Sequence, residues 1–388
     1  MGTRGRPLAL GIVIALVAAV WSIAAIRQED VATGGEFVPT TAAEGWTVVY
    51  RYPREGSALL GIDARTSRDV WAVGGVGPFD RSRVVAVRWD GSRWHQTPSW
   101  QPSSGYTSLH DVQAFAPDLA WSVGRVRNGA LALRWNGVRW QRVRLTRAVS
   151  VSAELRGLDD IEGLRALWAV GRSHRQVLIL RWNGSRWRRM NAPDLPNSIL
   201  YDVVSVSRTT AFAVGEAGGS SLIMRWHRGD GWRVVADPVF ADARLMGVAA
   251  SRGRVVAVGY REGPLLLERT GTGWREVPWE WPGETFFLTG VAGRLDRSGN
   301  VTFWVVGSRY LADGRIRPFV LRGRSGRWAA MKVPSPGPFS GLSAVTATSG
   351  WVWATGDDGE GDSVTGLVMR GPTTLTTSPD RVTVSSVG

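Results

Sequence analysis

Asp111 and Asp202 stand at one position of a recurring sequence phrase, two residues after Leu109 and Leu200. Two carboxylates converging on a sugar are what glycoside hydrolysis needs, one to protonate the leaving oxygen and one to attack or to activate water. The equivalent positions elsewhere hold Gly61, Gly157, Gly247, Gly290 and Ala344. The pair are therefore catalytic candidates, with polar lining bound to water as the favoured role. A second acidic group, Asp357, Asp358, Glu360 and Asp362, could offer oxygen ligands to Ca²⁺. Read from Asp358, however, the EF-hand spacing meets Ser363 where glycine belongs and Met369 where a bidentate glutamate belongs. A loop without metal is expected. The histidines, His95, His110, His174 and His227, occupy unrelated positions, and no GxSxG or phosphate loop is present. The chain has no cysteine, which excludes disulfides, a thiol nucleophile and a cysteine metal site. No cofactor is expected.

The elements that would position these residues follow from a repeat. The phrase Leu-x-x-Val begins at Leu59, Leu109, Leu155, Leu200, Leu245, Leu288 and Leu342. A second phrase recurs at Trp71–Gly74, Trp121–Gly124, Trp168–Gly171, Phe212–Gly215, Val256–Gly259, Trp304–Gly307 and Trp353–Gly356. A period of this size signals a repeat architecture. Each repeat holds four short runs rich in Val, Ile, Leu and Trp. In the third repeat these are Leu155–Ile161, Leu167–Gly171, Val177–Trp182 and Arg186–Met190. They are too short for helices and read as strands. The third and fourth runs are joined by Asp90-Gly91, Asn136-Gly137 or Asn183-Gly184, which supply the positive φ of a tight hairpin.

The fourth run carries Trp94, Trp140, Trp187, Trp232, Trp274 and Trp328, and the last repeat lacks it. The missing run stands at the other end of the chain, at Trp46–Tyr52. Pairing the two ends would close a ring and remove exposed edges. With Trp71-Ala72-Val73-Gly74-Gly75, the aromatic Trp89 and Trp94 five residues on, the sequence resembles kelch-like seven-bladed β-propellers. It departs from them in often having one glycine for two and tryptophan for tyrosine. The resemblance implies an all-β ring over residues 45–375, four antiparallel strands to a blade, with residues 46–52 completing the last. A propeller can bind, scaffold or catalyse.

In such a ring the loops between second and third strands share a face with the connections between blades. Those loops are longest in blades 1, 6 and 7, at Gly75–Arg83, Ser308–Arg317 and Asp357–Gly366. Insertions gathered on one face mark a binding surface. Arg81 and Tyr310 on these loops, and Trp100, Trp279 and Trp281 in the connections, are the ligand-binding candidates. Trp279-Glu280-Trp281 could stack on a sugar or anchor a protein; wedging between blades is the plainer role.

Net charge is +14, and Lys332 is the only lysine. Arginines recur at fixed places, as in Arg88, Arg134, Arg181 and Arg225. They read as a solvated strand face distributed around the ring, with attraction to anionic surfaces as the alternative. No nucleic-acid module is present. Residues 8–26 form a nineteen-residue uncharged stretch preceded by Arg4 and Arg6. As a helix it would span about 28 Å, enough for a single pass with residues 1–7 in the cytoplasm and the ring outside. Residues 27–44 read as a stalk and 376–388 as a tail. The rival is a signal peptide cleaved near Ser22-Ile23-Ala24. The expected protein is a membrane-anchored, extracytoplasmic binding scaffold for an envelope protein or glycan. The alternative is a glycan hydrolase or lyase at the channel.

Overall fold

The computed structural model describes residues 45–373, apart from 79, 146–148, 162–165, 236–239, 272, 279–283, 325, 361–362 and the side chain of residue 360. Within them the chain forms five four-stranded sheets and one eight-stranded sheet. The larger sheet divides into two four-stranded halves, joined only by a single parallel bridge between Ile316 and Phe339. Seven units of four strands result. Blade 1 comprises Ser57–Thr66, Asp69–Val76, Arg83–Trp89 and Trp94–Gln96, paired antiparallel in that order. Blades 2 to 6 span residues 107–142, 154–189, 198–234, 244–276 and 285–331. Blade 7 takes Phe339–Ala347, Trp351–Glu360 and Ser363–Pro372, and its fourth strand is Thr47–Arg51 from the start of the chain. The first strands of successive blades pack side by side around a central channel, the last back against the first.

Each first strand carries a bulge at the same point, between the phrase leucine and the residue two further on. The bulged residue points into the channel; in blades 2 to 5 it is His110, Arg156, Tyr201 and Met246. The recurring glycine of the second strand serves this bulge. A Cβ on Gly74, Gly171 or Gly356 would lie 1.9–2.0 Å from a carbonyl oxygen of the first strand. No side chain fits there.

Tryptophans lock the seams between blades. Trp71 of blade 1 meets Trp135 and Trp140 of blade 2, all at ring separations of 5.1–5.8 Å. Trp121 repeats this with Trp182 and Trp187, Trp168 with Trp226 and Trp232, and Trp353 with Trp89 and Trp94. Such pairs add about 1 kcal/mol each beyond their burial. Where the third-strand aromatic is replaced by glycine, the fourth-strand tryptophan lies over it. Trp328 covers Gly323 and Trp46 covers Gly371 in the same way. Trp46, buried just before the strand that completes blade 7, thus does for that blade what Trp328 does for blade 6.

Of the recurring third-strand arginines, Arg134 and Arg225 are exposed, as a solvated strand face requires, whereas Arg88 and Arg181 are half-buried. Arg88 and Arg181 stand opposite Trp71 and Trp168 in the ladder and lie 4.8 and 5.5 Å from their ring centroids. The ring quadrupole attracts a guanidinium placed there. No helix among the described residues is long and apolar enough to cross a membrane. The stretch 8–26, expected to span one, lies outside the described residues, as do the stalk and the tail from residue 374.

Candidate functional site

Asp111 and Asp202 both line a channel cavity of about 330 Å³. Each spends both carboxylate oxygens on backbone. Asp111 accepts from the N–H of Val112 and from that of Leu158 in blade 3, both at 2.8 Å. Asp202 accepts from Val203 and from Val248 in blade 5, both at 2.8 Å. Two further aspartates do the same one level along the channel. Asp63 accepts from Ala114 of blade 2 at 2.8 Å, and Asp159 from Ser205 of blade 4 at 2.6 Å. The four carboxylates therefore staple blades 1 to 5 in sequence. Backbone N–H groups are thus partners of the two sequence candidates, and Asp63 and Asp159, which the phrase comparison had not singled out, join them.

Burial pushes all four carboxyls up. Asp63 is raised to about 6, with the hydrogen bonds from Ala114 and Ala64 pulling it back down, and Asp202 is raised to about 7. Asp111 and Asp159 are also raised by burial, assisted by the neighbouring carboxylates Asp202 and Asp160 respectively. His110, 8% exposed, donates from Nδ1 to the carbonyl of Leu155 at 2.7 Å. Burial and then the Arg156 guanidinium hold it down at about 3, so it is neutral near neutral pH. Burial opposes the charge on Glu154, but Arg156 at 3.0 Å and Arg172 at 2.7 Å keep its carboxyl below the usual range.

The face carrying the blade connections and second-to-third loops is hereafter the connection face. Of its three long loops, only that of blade 1 is a loop, between Val76 and Arg83. In blades 6 and 7 the extra residues lengthen the strands into hairpins, reaching Tyr310 and Glu360 before they turn. The blade 6 hairpin reaches blade 7 through the bridge from Ile316 to Phe339, which pairs in turn with Gly359 of the blade 7 hairpin, and through Arg317, which donates to the Gly337 carbonyl of the connection at 3.1 Å. They form a ridge. Tyr310 sits on it as the end of a row of rings, Tyr260–Phe287 at 4.8 Å and Phe287–Tyr310 at 4.9 Å. Burial, then the Asp357 carboxylate, raises the Tyr310 phenol far above its ordinary value. Phe339 is 42% exposed on the same ridge. The row continues through Tyr260, whose hydroxyl is 3.4 Å from Arg244, to Glu216 and Tyr201 around the channel mouth.

The other sequence candidates scatter. Arg81 is exposed on the blade 1 loop beside Asp80, at 3.5 Å. Trp100 does not reach the connection face. It packs on the seam of blades 1 and 2, its N–H on the Trp140 carbonyl and Arg142 over its ring at 5.0 Å. Trp279 and Trp281 lie outside the described residues. Asp358 is ion-paired with Arg51 and accepts from Ser340 at 2.8 Å, whereas Asp357 is raised to about 7 by burial and by Asp358. Asp362 and the Glu360 side chain are not described. Among the described residues no three acidic or histidine side chains are grouped to hold a metal ion.

By sequence, no family model and no curated protein matches the chain. By structure, YCF48 bound to D1 peptide matches 87% of this chain and all of its own with a TM-score of 0.59 at 14% identity. The chain is a β-propeller. The WD40 propeller domain of Doa1 matches 84% of this chain and 97% of its own, TM-score 0.54, 13% identity. The extracellular domain of the one-component system BT4673 from B. thetaiotaomicron matches 84% of this chain and 40% of its own, TM-score 0.52, 13% identity. At these identities the likeness is one of fold.

Proposed function

We propose that the chain is a non-enzymatic interaction propeller of kelch-like type at the cell envelope, whose connection face receives a segment of a protein partner. The ridge of blades 6 and 7 carries the reading. It places Tyr310, the outer end of an otherwise buried row of rings, an exposed Phe339 and charged groups on rigid paired strands, so little ordering entropy is lost on binding. The bound peptide of YCF48 supports a protein segment as the partner class. In this reading residues 8–26 anchor the chain by a single pass and the propeller stands outside the cytoplasmic membrane. Cleavage there would release the same propeller. A photo-crosslinker at Arg81 or Tyr310 in the full chain, in its own membranes, tests it. Discrete adducts are expected, absent when the crosslinker replaces Ser185 on the opposite face. Binding to glycans alone, lost on Tyr310→Ala, would move the partner class to sugar.

The second reading is a glycan hydrolase or lyase at the channel. It draws on the cavity and on Asp202, raised to about 7 and so suited to act as an acid. Turnover of cell-wall glycans abolished by Asp202→Asn in a folded protein would establish it.

A further inference from the structure

The second face of the ring holds the first-to-second and third-to-fourth turns. Its charge differs from that of the connection face. Arg93, Arg139, Arg186 and Arg228 lie at the third-to-fourth turns of blades 1 to 4, and Arg208 and Arg252 at the first-to-second turns of blades 4 and 5. All six are exposed, and none forms an ion pair among the described residues. Of the acids nearby, Asp296 is paired with Arg324 at 3.2 Å, leaving Asp118, Asp230 beside His227 at 3.3 Å, and Asp90, held to its own turn by the Ser92 and Arg93 N–H groups, to set against the six arginines. On the connection face, by contrast, Arg172, Arg244, Arg261 and Arg309 each have a glutamate within 2.5–3.4 Å. The connection face also has exposed arginines without an ion pair among the described residues, Arg54, Arg83, Arg127 and Arg175, but exposed Glu55, Asp80, Asp194, Asp242 and Glu262 stand on it too, so the turn face is the more strongly positive side of the disc.

Two further observations concern the same side. Both ends of the described chain leave there, at blade 7. Gly45 lies against Pro372, and the Thr373 N–H meets the carbonyl of Gly350 in the first-to-second turn. Val138, 72% exposed, caps the blade 2 turn beside Arg139. The uncharged stretch 8–26 is separated from Gly45 by eighteen residues, a reach of at most ~60 Å.

From this segregation of charge we infer that the turn face docks on an anionic phospholipid surface. Each arginine close to such a surface adds attraction, and the field fades within a Debye length, so a flat face on the bilayer uses it best. Docking this way turns the connection face outward to a partner. The arginines carry the inference, so it holds whether or not residues 8–26 remain attached.

The absence of cysteine allows single probes. The full chain is labelled with a fluorophore through Ser185→Cys on the turn face or Ser104→Cys on the connection face. It is mixed with phosphatidylcholine vesicles, with or without phosphatidylglycerol, containing a headgroup quencher. The label at 185 should be quenched in the anionic vesicles only, less at high salt, and the label at 104 should not. Replacing Arg139, Arg186, Arg208 and Arg228 with Gln should weaken the effect about fivefold per arginine, with the circular dichroism spectrum unchanged. Equal quenching in neutral vesicles, quenching chiefly at 104, or no loss in the arginine variant would overturn the inference. So would preferential binding of a DNA oligonucleotide through the same arginines.

Discussion

The channel wall is built in two ways. In blades 1 to 5 the seams are closed by aspartates reaching the next blade's N–H. The staples alternate in level. Where Gly61 or Gly157 lies against the neighbouring strand, the staple comes two residues later, from Asp63 or Asp159. Where Asp111 or Asp202 occupies that position, it is itself the staple. From blade 5 to blade 7 the wall has no carboxylate. Gly247 faces Gly290 and Gly290 faces Ala344, and Thr289 donates to the Leu342 carbonyl at 2.6 Å. One seam geometry can therefore be held by carboxyl-to-backbone hydrogen bonds or by close backbone approach. Carboxylates in a channel are consequently poor evidence for catalysis until their partners are known.

Steric probes should separate the halves most strongly. A Cβ on Gly157 would stand 2.7 Å from the Asp202 Cα, whereas one on Gly247 would stand 3.2 Å from the Gly290 Cα. Gly157→Ala should cost about 3 kcal/mol and Gly247→Ala about 1 kcal/mol, measured by denaturant unfolding. Equal losses would mean that the two halves yield alike.

Removing a staple should rank next. Asp111→Ala leaves the Leu158 and Val112 N–H groups without their acceptor and should cost about 2 kcal/mol, less the relief from a buried charge. Thr289→Val, in the other half, should cost about 1 kcal/mol. No loss for Asp111→Ala would reduce the staple to incidental contact.

Proton linkage comes third. The folded-state carboxyls of Asp63, Asp111, Asp159 and Asp202 lie above their ordinary values. Their ionisation is therefore harder in the folded than in the unfolded chain, and their contribution is lost as pH rises above the usual carboxylate range, through about 6 for Asp63 and about 7 for Asp202. Glu154, held low by arginines, contributes in the opposite sense, its stabilisation being lost only as pH falls below the usual carboxylate range. The melting temperature should be higher at pH 5 than at pH 8, with Asp63 and Asp202 each contributing on the order of 1 kcal/mol to the loss of stability. Asp202→Asn should flatten the fall near pH 7. A melting temperature that rises from pH 5 to pH 8 would reverse the sign assigned to these groups.

The ring itself was legible in the sequence, because its period, its tryptophans and its glycines are local signals. The third repeat shows strands at Glu154–Asp160, Leu167–Ser173, Gln176–Trp182 and Trp187–Arg189, within a residue or two of the expected runs. Trp46 marked the closing strand because the last repeat lacks its fourth run and residues 46–52 read as one with no preceding three. The staples were not legible, since Asp111 and Leu158 are 47 residues apart and a carboxylate has no pattern for an N–H. The blade 6 and 7 insertions read as loops because nothing in Asp357–Gly366 distinguishes a lengthened hairpin from a loop. Trp100 was misplaced because a connection between blades can run along a seam as well as over a face. The third-strand arginines Arg88, Arg134, Arg181 and Arg225 are spaced around the ring as read, whereas the turns bearing Arg93, Arg139 and Arg186 are dispersed in sequence and share a face only in three dimensions.

Hydrogen–deuterium exchange at the amides of Leu158 and Val248 tests the structural role of the channel carboxylates most directly. Asp111→Ala should speed exchange at Leu158 and leave Val248 protected, and Asp202→Ala should do the converse. Unchanged protection at both amides in both variants would contradict the staples and return the two aspartates to the chemistry of the channel.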